Sequence, residues 1–363
     1  MKIEKVESGI HTIQLYALKL TYSQVQKSID TLADIAPLKT IWEDHYSIDR
    51  RIASSALNPA GIRLFLQQTH DISNSIGIIV NPNILLDRSC PPIQLFHPKK
   101  DACRQLLDQI EDVLHQLNLE DNPFHRNLVV SPQDLSLSQM DLTINLWYDD
   151  ATDLVEIIRL FSKGKVPNSF KRKDYGTPEE TSHCFTANSH TVTLKAYDKV
   201  YDLNRYGRCP PELRGRKILR VEVSLKRSAF LQKLHLDRED DLHTMLKTGY
   251  QSVRPVLQKY LKQLFPCSGP HRTFVETVDR IQNSDLKKKK KEQMEFLVRK
   301  TSDGDGLDTA LKKLKKKYGI KDQRTIRKLY DAFEELDINP ITLRNDSAYQ
   351  EVPNPRKMIE KSI

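Results

Sequence analysis

One short run, Thr193-Leu-Lys-Ala-Tyr-Asp-Lys-Val-Tyr-Asp-Leu203, brings Tyr197, Lys199, Tyr201 and Asp202 close together in the chain. A phenol can break a phosphodiester by attacking phosphorus and keeping the new end as a phosphotyrosine, provided positive charge meets the phosphoryl oxygens. Lys199 can supply that charge, and a metal held by carboxylates can supply more. Two other segments offer the carboxylates. Gln139-Met-Asp141-Leu-Thr-Ile and Arg220-Val-Glu222-Val-Ser-Leu each set an acid inside an apolar strand, where a charge is costly unless used or paired. On a strand, Arg220, Glu222 and Ser224 share one face while Val221, Val223 and Leu225 share the other. If Asp141, Glu222 and Asp202 converge near Tyr197, they form an all-oxygen site suited to Mg2+ or Mn2+. Plainer readings stand beside this one: Asp141 and Glu222 as strand acids paired with Arg220 or Lys195, and Tyr197 as a packing tyrosine. Tyr201, four residues on, shares a helix face with Tyr197, which fits a second nucleophile, a packing role or base stacking.

The elements that must position these residues follow from hydrophobic periodicity. Gly9 to Tyr16 reads as a strand and Tyr22 to Ile35 as an amphipathic helix. Strands follow at Gly61–Gln68 and Ser75–Val80, with a turn at Asp71-Ile-Ser-Asn, and Asn81-Pro-Asn starts a short helix. Asp101 to Leu117 is helical. The order then recurs: strand Leu135–Trp147, helix Ala151–Phe161, a hairpin of Ser182–Ala187 with Thr191–Tyr197, and strand Lys217–Leu225. The expected fold is therefore α+β: a duplicated βαββ arrangement of antiparallel sheet backed by helices, followed by an α-helical C-terminal region. The expected domains are 1–228, in halves of about 1–120 and 121–228, then a helical region over 229–345 and a loose tail over 346–363.

In the helical region, Leu307, Leu311, Leu314 and Tyr318 line one helix face, Gly319 ends that helix, and Asp322 to Leu336 forms the next. Lys287, Lys288 and Lys289 in one run, with Lys312, Lys313, Lys315 and Lys316 in another, are candidates for phosphate contacts on duplex DNA. A solvated basic face is the alternative. The two helices around Gly319 admit a helix-turn-helix reading. Asp303-Gly-Asp-Gly306 lacks the later ligands of a calcium loop and reads as a linker, with Asp305 available to cap the next helix.

Composition bounds the function. With 57 Lys+Arg against 48 Asp+Glu, the net charge of +9 favours a polyanionic partner. The five cysteines are scattered without a Cys-x-x-Cys pair, which points to a reducing cytoplasm rather than a disulfide framework or zinc site. No signal peptide and no membrane span are recognisable, so a soluble intracellular protein is expected. Gly-rich phosphate loops, His-Glu-x-x-His, Gly-x-Ser-x-Gly and His-x-His are all absent.

Leu194-Lys-Ala-Tyr197-Asp-Lys199-Val-Tyr-Asp202, preceded by Met140-Asp141-Leu-Thr and followed by Leu219-Arg-Val-Glu222-Val-Ser-Leu-Lys226-Arg, resembles the replication initiators of filamentous phages. It is similar, more distantly, to rolling-circle plasmid initiators with a Tyr-x-Lys-x-x-Glu core. Gly61-Ile-Arg-Leu-Phe-Leu, Ile79-Val-Asn81-Pro82-Asn-Ile-Leu85 and Arg324-Thr-Ile-Arg327-Lys-Leu-Tyr fit the same family, in order. The resemblance implies site-specific nicking and joining of origin DNA in a bacterial host's cytoplasm. Tyr197 would be the nucleophile, with Lys199 beside it, and Asp141 and Glu222 would hold Mg2+ or Mn2+. Asp202 stands where the family has Glu. Partners implied are double-stranded origin DNA, displaced single-stranded DNA, and host helicase and polymerase, with Arg324 and Arg327 joining the lysines on DNA. A non-catalytic origin-binding or repressor protein of the same fold, or a transposase or relaxase, is the alternative.

Overall fold

Branched apolar residues alternate along the segments that become strands, and apolar residues at three- and four-residue spacing mark the helices. The computed structural model describes residues 1–43, 50–54, 61–69, 74–118 and 135–360. In chain order come β1 (Ile3–Leu20), α1 (Tyr22–Ile35), β2 (Leu38–Glu43), β3 (Arg50–Ser54), β4 (Ile62–Gln68), β5 (Asn74–Val80), α2 (Pro82–Leu86) and α3 (Lys100–Asn118). Then follow β6 (Ser136–Tyr148), α4 (Leu154–Lys163), β7 (Lys171–Arg172), α5 (Pro178–His183), β8 (Cys184–Asn188), β9 (Val192–Asp198), α6 (Lys199–Arg205) and β10 (Lys217–Lys226). The rest is α7 (Arg227–Leu234), α8 (Leu242–Gln251), α9 (Val253–Leu264), β11 (His271–Arg272), α10 (Phe274–Gln282) and α11 (Lys288–Ser302). The last elements are α12 (Leu307–Tyr318), α13 (Gln323–Glu335), β12 (Glu351–Val352) and α14 (Pro355–Glu360).

The α+β class and the helical C-terminal region are as expected, and each half opens on a strand and a helix before further strands, β1-α1-β2-β3-β4-β5 in one and β6-α4-β7-α5-β8-β9 in the other. Strands β2 and β3 are additions that periodicity missed. The turn expected at Asp71-Ile-Ser73 lies outside the described residues.

Two compact units are each assembled from separate segments: Met1–Glu7, Ile144–Val223 and Arg254–Ile363 in one, Ser8–Thr143 and Ser224–Val253 in the other. Strands β6 and β10 each carry residues of both units.

In the unit that holds β4 and β5, strand order runs β2-β3-β4-β5-β1 and on to β6. Neighbours from β2 to β1 are antiparallel. Ile62, Leu64, Leu66, Ile76, Ile78 and Val80 are buried together with Val25, Ile29 and Leu32 of α1 and Leu106 and Ile110 of α3. Gln68 donates to Gln26 at 3.0 Å, fixing α1 on that face.

In the unit that holds β8 and β9, the order runs from β6 through β10, β9 and β8 to β7. Helix α4 packs on β8 and β9 through Leu154, Ile157, Ile158 and Phe161, with the Phe161 and Phe185 rings 6.1 Å apart. Asp153 caps α4 by accepting from the Val155 amide. Helices α11, α12 and α13 pack together. Gly319 ends α12 in the left-handed region (φ 64°), which suits glycine, and Asp322 starts α13 by accepting from the Thr325 amide at 2.6 Å. The cap of α12 is Gly306; Asp305 instead pairs with Lys313 at 2.7 Å.

The tail over 346–360, expected to be loose, is folded. Glu351 and Val352 pair with Arg272 and His271, and Val352, Pro355, Met358 and Ile359 are buried. The Tyr148 hydroxyl donates to the Met358 sulfur at 3.0 Å. Burial of those apolar side chains offsets the ordering entropy that the polar composition alone could not.

Candidate active site

The hairpin β8–β9 builds a polar face by simple alternation. Register pairs Cys184 with Tyr197, Thr186 with Lys195 and Asn188 with Thr193. These six residues line an open pocket of about 590 Å3, completed by Lys173, Tyr175, Asp202 and Tyr206. The alternate residues Phe185, Ala187, Val192, Leu194 and Ala196 are buried on the α4 side. The Tyr197 ring is half-buried, neither sealed in the core nor free in solvent.

Strand turns to helix one residue after Tyr197. The Asp198 carboxylate caps α6, accepting from the Val200 and Tyr201 amides at 3.0 Å each. Burial raises the Asp198 carboxyl above its ordinary value, and those amide bonds pull the other way. The first turn of α6 then sets Lys199 and Asp202 beside Tyr197. Lys199 Nζ donates to Asp202 Oδ2 at 2.8 Å and stands 5.8 Å from the centre of the Tyr197 ring. Burial, and then the Arg220 charge, push the Lys199 ammonium down to about 8. Burial and the nearby Glu222 carboxylate hold the Tyr197 phenol well above the usual tyrosine value.

On β10, Glu222 is buried and accepts from Lys195 Nζ at 2.7 Å, the partner that the plainer sequence reading allowed. Arg220 is fully buried and donates to Asn145 Oδ1 at 2.7 Å. Asp202 is held by Lys199.

Asp141, on β6, is buried in the other unit. It accepts from the Thr12 hydroxyl and from Gln139 Nε2 at 3.2 Å. His11 lies beside it, with a ring nitrogen within 4.8 Å of a carboxylate oxygen. Sequence reasoning missed His11. The available signal was an imidazole next to Thr12 in the strand Gly9 to Tyr16.

Tyr201 stacks flat on His183, centroids 3.8 Å apart and planes 4° from parallel, and its hydroxyl donates to Glu179 at 3.2 Å. His183 Nδ1 in turn lies 3.7 Å from Asp198. Glu179, His183 and Asp198 were not singled out in the sequence. Only Asp198 carried a signal, an acid at a strand-to-helix junction. Tyr201 is not among the residues that line the pocket.

Of the basic residues, Lys287, Lys288, Lys289, Lys312, Lys313, Lys316, Arg324 and Arg327 are exposed, and Lys315 is half-buried.

No protein-family model matches the chain, and no curated protein matches it. Among solved structures it is similar to a rolling circle replication initiator protein from Geobacillus stearothermophilus. The identity is 9% and the TM-score 0.30, over 72% of this chain and 86% of that one, a likeness too slight to assign a fold or a function. No helix among the described residues is long and apolar enough to cross a membrane.

Proposed function

We propose that this chain is a rolling-circle replication initiator that nicks and rejoins DNA with Tyr197 as its nucleophile. The observation that carries the reading is the half-buried Tyr197 ring lining an open, lysine-bearing pocket at a strand-to-helix junction. In this reading the Tyr197 oxygen forms a bond to phosphorus and the bond to the 3′ oxygen breaks. The 5′ phosphate stays on the tyrosine, and the freed 3′ hydroxyl primes synthesis. Attack by a 3′ hydroxyl reverses the step and rejoins a strand. Because burial keeps the phenol protonated, a neighbouring group must take its proton as the bond forms. Lys199, pushed down to about 8, supplies positive charge beside the phosphate at neutral pH and can accept the phenol's proton and return it to the departing 3′ oxygen only above that value.

A divalent cation would offset charge on the phosphoryl oxygens. Asp141 with His11 offers a carboxylate, which suits Mn2+ or Mg2+, and an imidazole, which a hard ion such as Mg2+ favours least. Glu222 is the second acid assigned to that ion, while Asp202 serves to hold Lys199. The exposed lysines on α11 and α12, with Arg324 and Arg327 on α13, are assigned to the phosphates of duplex origin DNA. The displaced strand, host helicase and host polymerase complete the partners, in a bacterial cytoplasm.

The second reading, a non-catalytic origin-binding protein, is favoured by the Lys195–Glu222 ion pair, which gives Glu222 a purely structural role. Supercoiled origin DNA with Mg2+ or Mn2+ separates the two. Nicked circles with protein on a 5′ end, lost in Tyr197→Phe, support the nuclease. Nicking that persists in Tyr197→Phe rejects the nucleophile, and binding without nicking supports the second reading.

A further inference from the structure

The unit that holds β4 and β5 has a sheet face of mixed polar and aromatic residues. Helices α1 and α3 cover the side of this sheet on which Ile62, Leu64 and Leu66 lie. Strand register defines what stands on the other side. One row across β2, β3, β4, β5 and β1 reads Lys39, Ala53, Phe65, Gly77 and Tyr16. The flanking rows contain Arg51, Gln67 and Ser75 on one side and Arg63, Ile79 and Gln14 on the other. Lys39 and Arg63 are exposed, and Tyr16, Arg51, Phe65, Gln67 and Ile79 are half-buried. None of these positions is acidic.

The aromatic groups are arranged across the strands. Gly77 sits beneath Tyr16: a Cβ there would lie 3.0 Å from Tyr16 Cζ, so the missing side chain lets the ring lean over β5. The Arg51 guanidinium lies 4.9 Å from the centre of the Phe65 ring, and its Nη2 donates to the Tyr16 hydroxyl at 3.4 Å. A sheet face with aromatic rings and an arginine plane among cations that no carboxylate of the described residues opposes fits an unpaired strand. Bases stack on rings and guanidinium planes while the backbone phosphates follow the charge. Duplex DNA hides its base faces and cannot use such a surface.

We propose that this face binds single-stranded DNA, with bases stacking on Tyr16 and on the Arg51–Phe65 pair and with Lys39 and Arg63 on the phosphates. The proposal does not rest on the nicking reading, because it concerns equilibrium binding alone.

The test uses the full chain carrying Tyr197→Phe, without divalent cation, and a fluorescent oligothymidine twelve residues long. Tyr16→Ala and Phe65→Ala are expected to weaken binding roughly 5- to 100-fold each, and Tyr16→Phe to keep most of the affinity. The dependence of log affinity on log salt should keep its slope in Tyr16→Ala and lose about one phosphate's share, roughly 0.7, in Arg63→Ala. Arg63 is exposed, so that variant folds even if a ring variant does not. Affinity for a duplex of the same length should be unchanged throughout. Photocrosslinks from 5-iodouracil in the strand should fall in peptides containing Tyr16 or Phe65. Unchanged strand affinity and salt slope, with crosslinks confined to 285–330, would overturn the proposal whatever happens to nicking.

Discussion

The two polar sheet faces differ in how their charges are satisfied. Around the pocket of β8 and β9, the two lysines closest in sequence to Tyr197 each have a carboxylate partner, Lys195 with Glu222 at 2.7 Å and Lys199 with Asp202 at 2.8 Å, while Lys173 on the pocket wall lies 4.8 Å from the centre of the Tyr175 ring. On the face of β2, β3, β4, β5 and β1, Lys39, Arg51 and Arg63 stand in rows without an acid among the described residues. Paired charges fix side chains in position at a small net gain in attraction, which suits chemistry at one phosphate. Unopposed charges attract any polyanion and leave geometry to stacking, which suits holding a length of strand.

The sharpest test of that contrast is a crossed pair of variants. Tyr197→Phe should lower nicking on the order of 10^4-fold or more while strand affinity holds, and Tyr16→Ala should do the reverse when DNA is saturating. Gel conversion of supercoiled circles and fluorescence anisotropy read the two arms; parallel losses in both variants would erase the distinction. Next in size, Asp141→Asn should cut nicking roughly 100-fold and raise the Mn2+ concentration needed for half-maximal rate, with oligothymidine affinity untouched.

A third test uses the buried charge of Lys199. Its folded value, about 8, lies below the unfolded lysine value. Below pH 8 the folded chain therefore keeps the ammonium buried at a cost. Between about 8 and about 10.4 the folded form gives up its proton while the unfolded form still holds it, so the contribution of Lys199 to stability rises with pH across that window. Lys199→Met should show a smaller rise than the parent chain, the remainder coming from Lys163, whose ammonium burial also pushes down to about 8, as seen in urea midpoints taken on either side of the window. An identical rise in both proteins would remove Lys199 as its source. The smallest effect belongs to Gly319→Ala, which forces alanine into φ +64° at a cost of about 1 kcal/mol and should leave both faces working.

Much of this fold is legible in the chain. Helix α1 and helix α12 begin and end where periodicity puts them, because each carries an apolar stripe with a clear stop. Strands β2 and β3 were missed: they are short and rich in charge, with Lys39, Glu43, Arg50 and Arg51, so alternation has little length in which to show. The folded tail was missed because Val352, Met358 and Ile359 are too few to form a period. In the site, the grouping of Tyr197, Lys199 and Asp202 was legible because all three are local. Lys195 as the partner of Glu222 was one of several options that strand adjacency decides. His11 gave almost no signal, since a single imidazole in a strand is ordinary. The row from Lys39 to Tyr16 could not be read at all, because it exists only once five strands are in register.

Neither compact unit is an uninterrupted stretch of polypeptide. The one containing Tyr197 gathers Met1–Glu7, Ile144–Val223 and Arg254–Ile363. That hydrophobic core therefore closes only when segments far apart in the chain meet, and contacts so distant in sequence form slowly. A break within any of those three segments would leave that unit's core unfinished even where the residues lining the tyrosine pocket, all between Lys173 and Tyr206, are present.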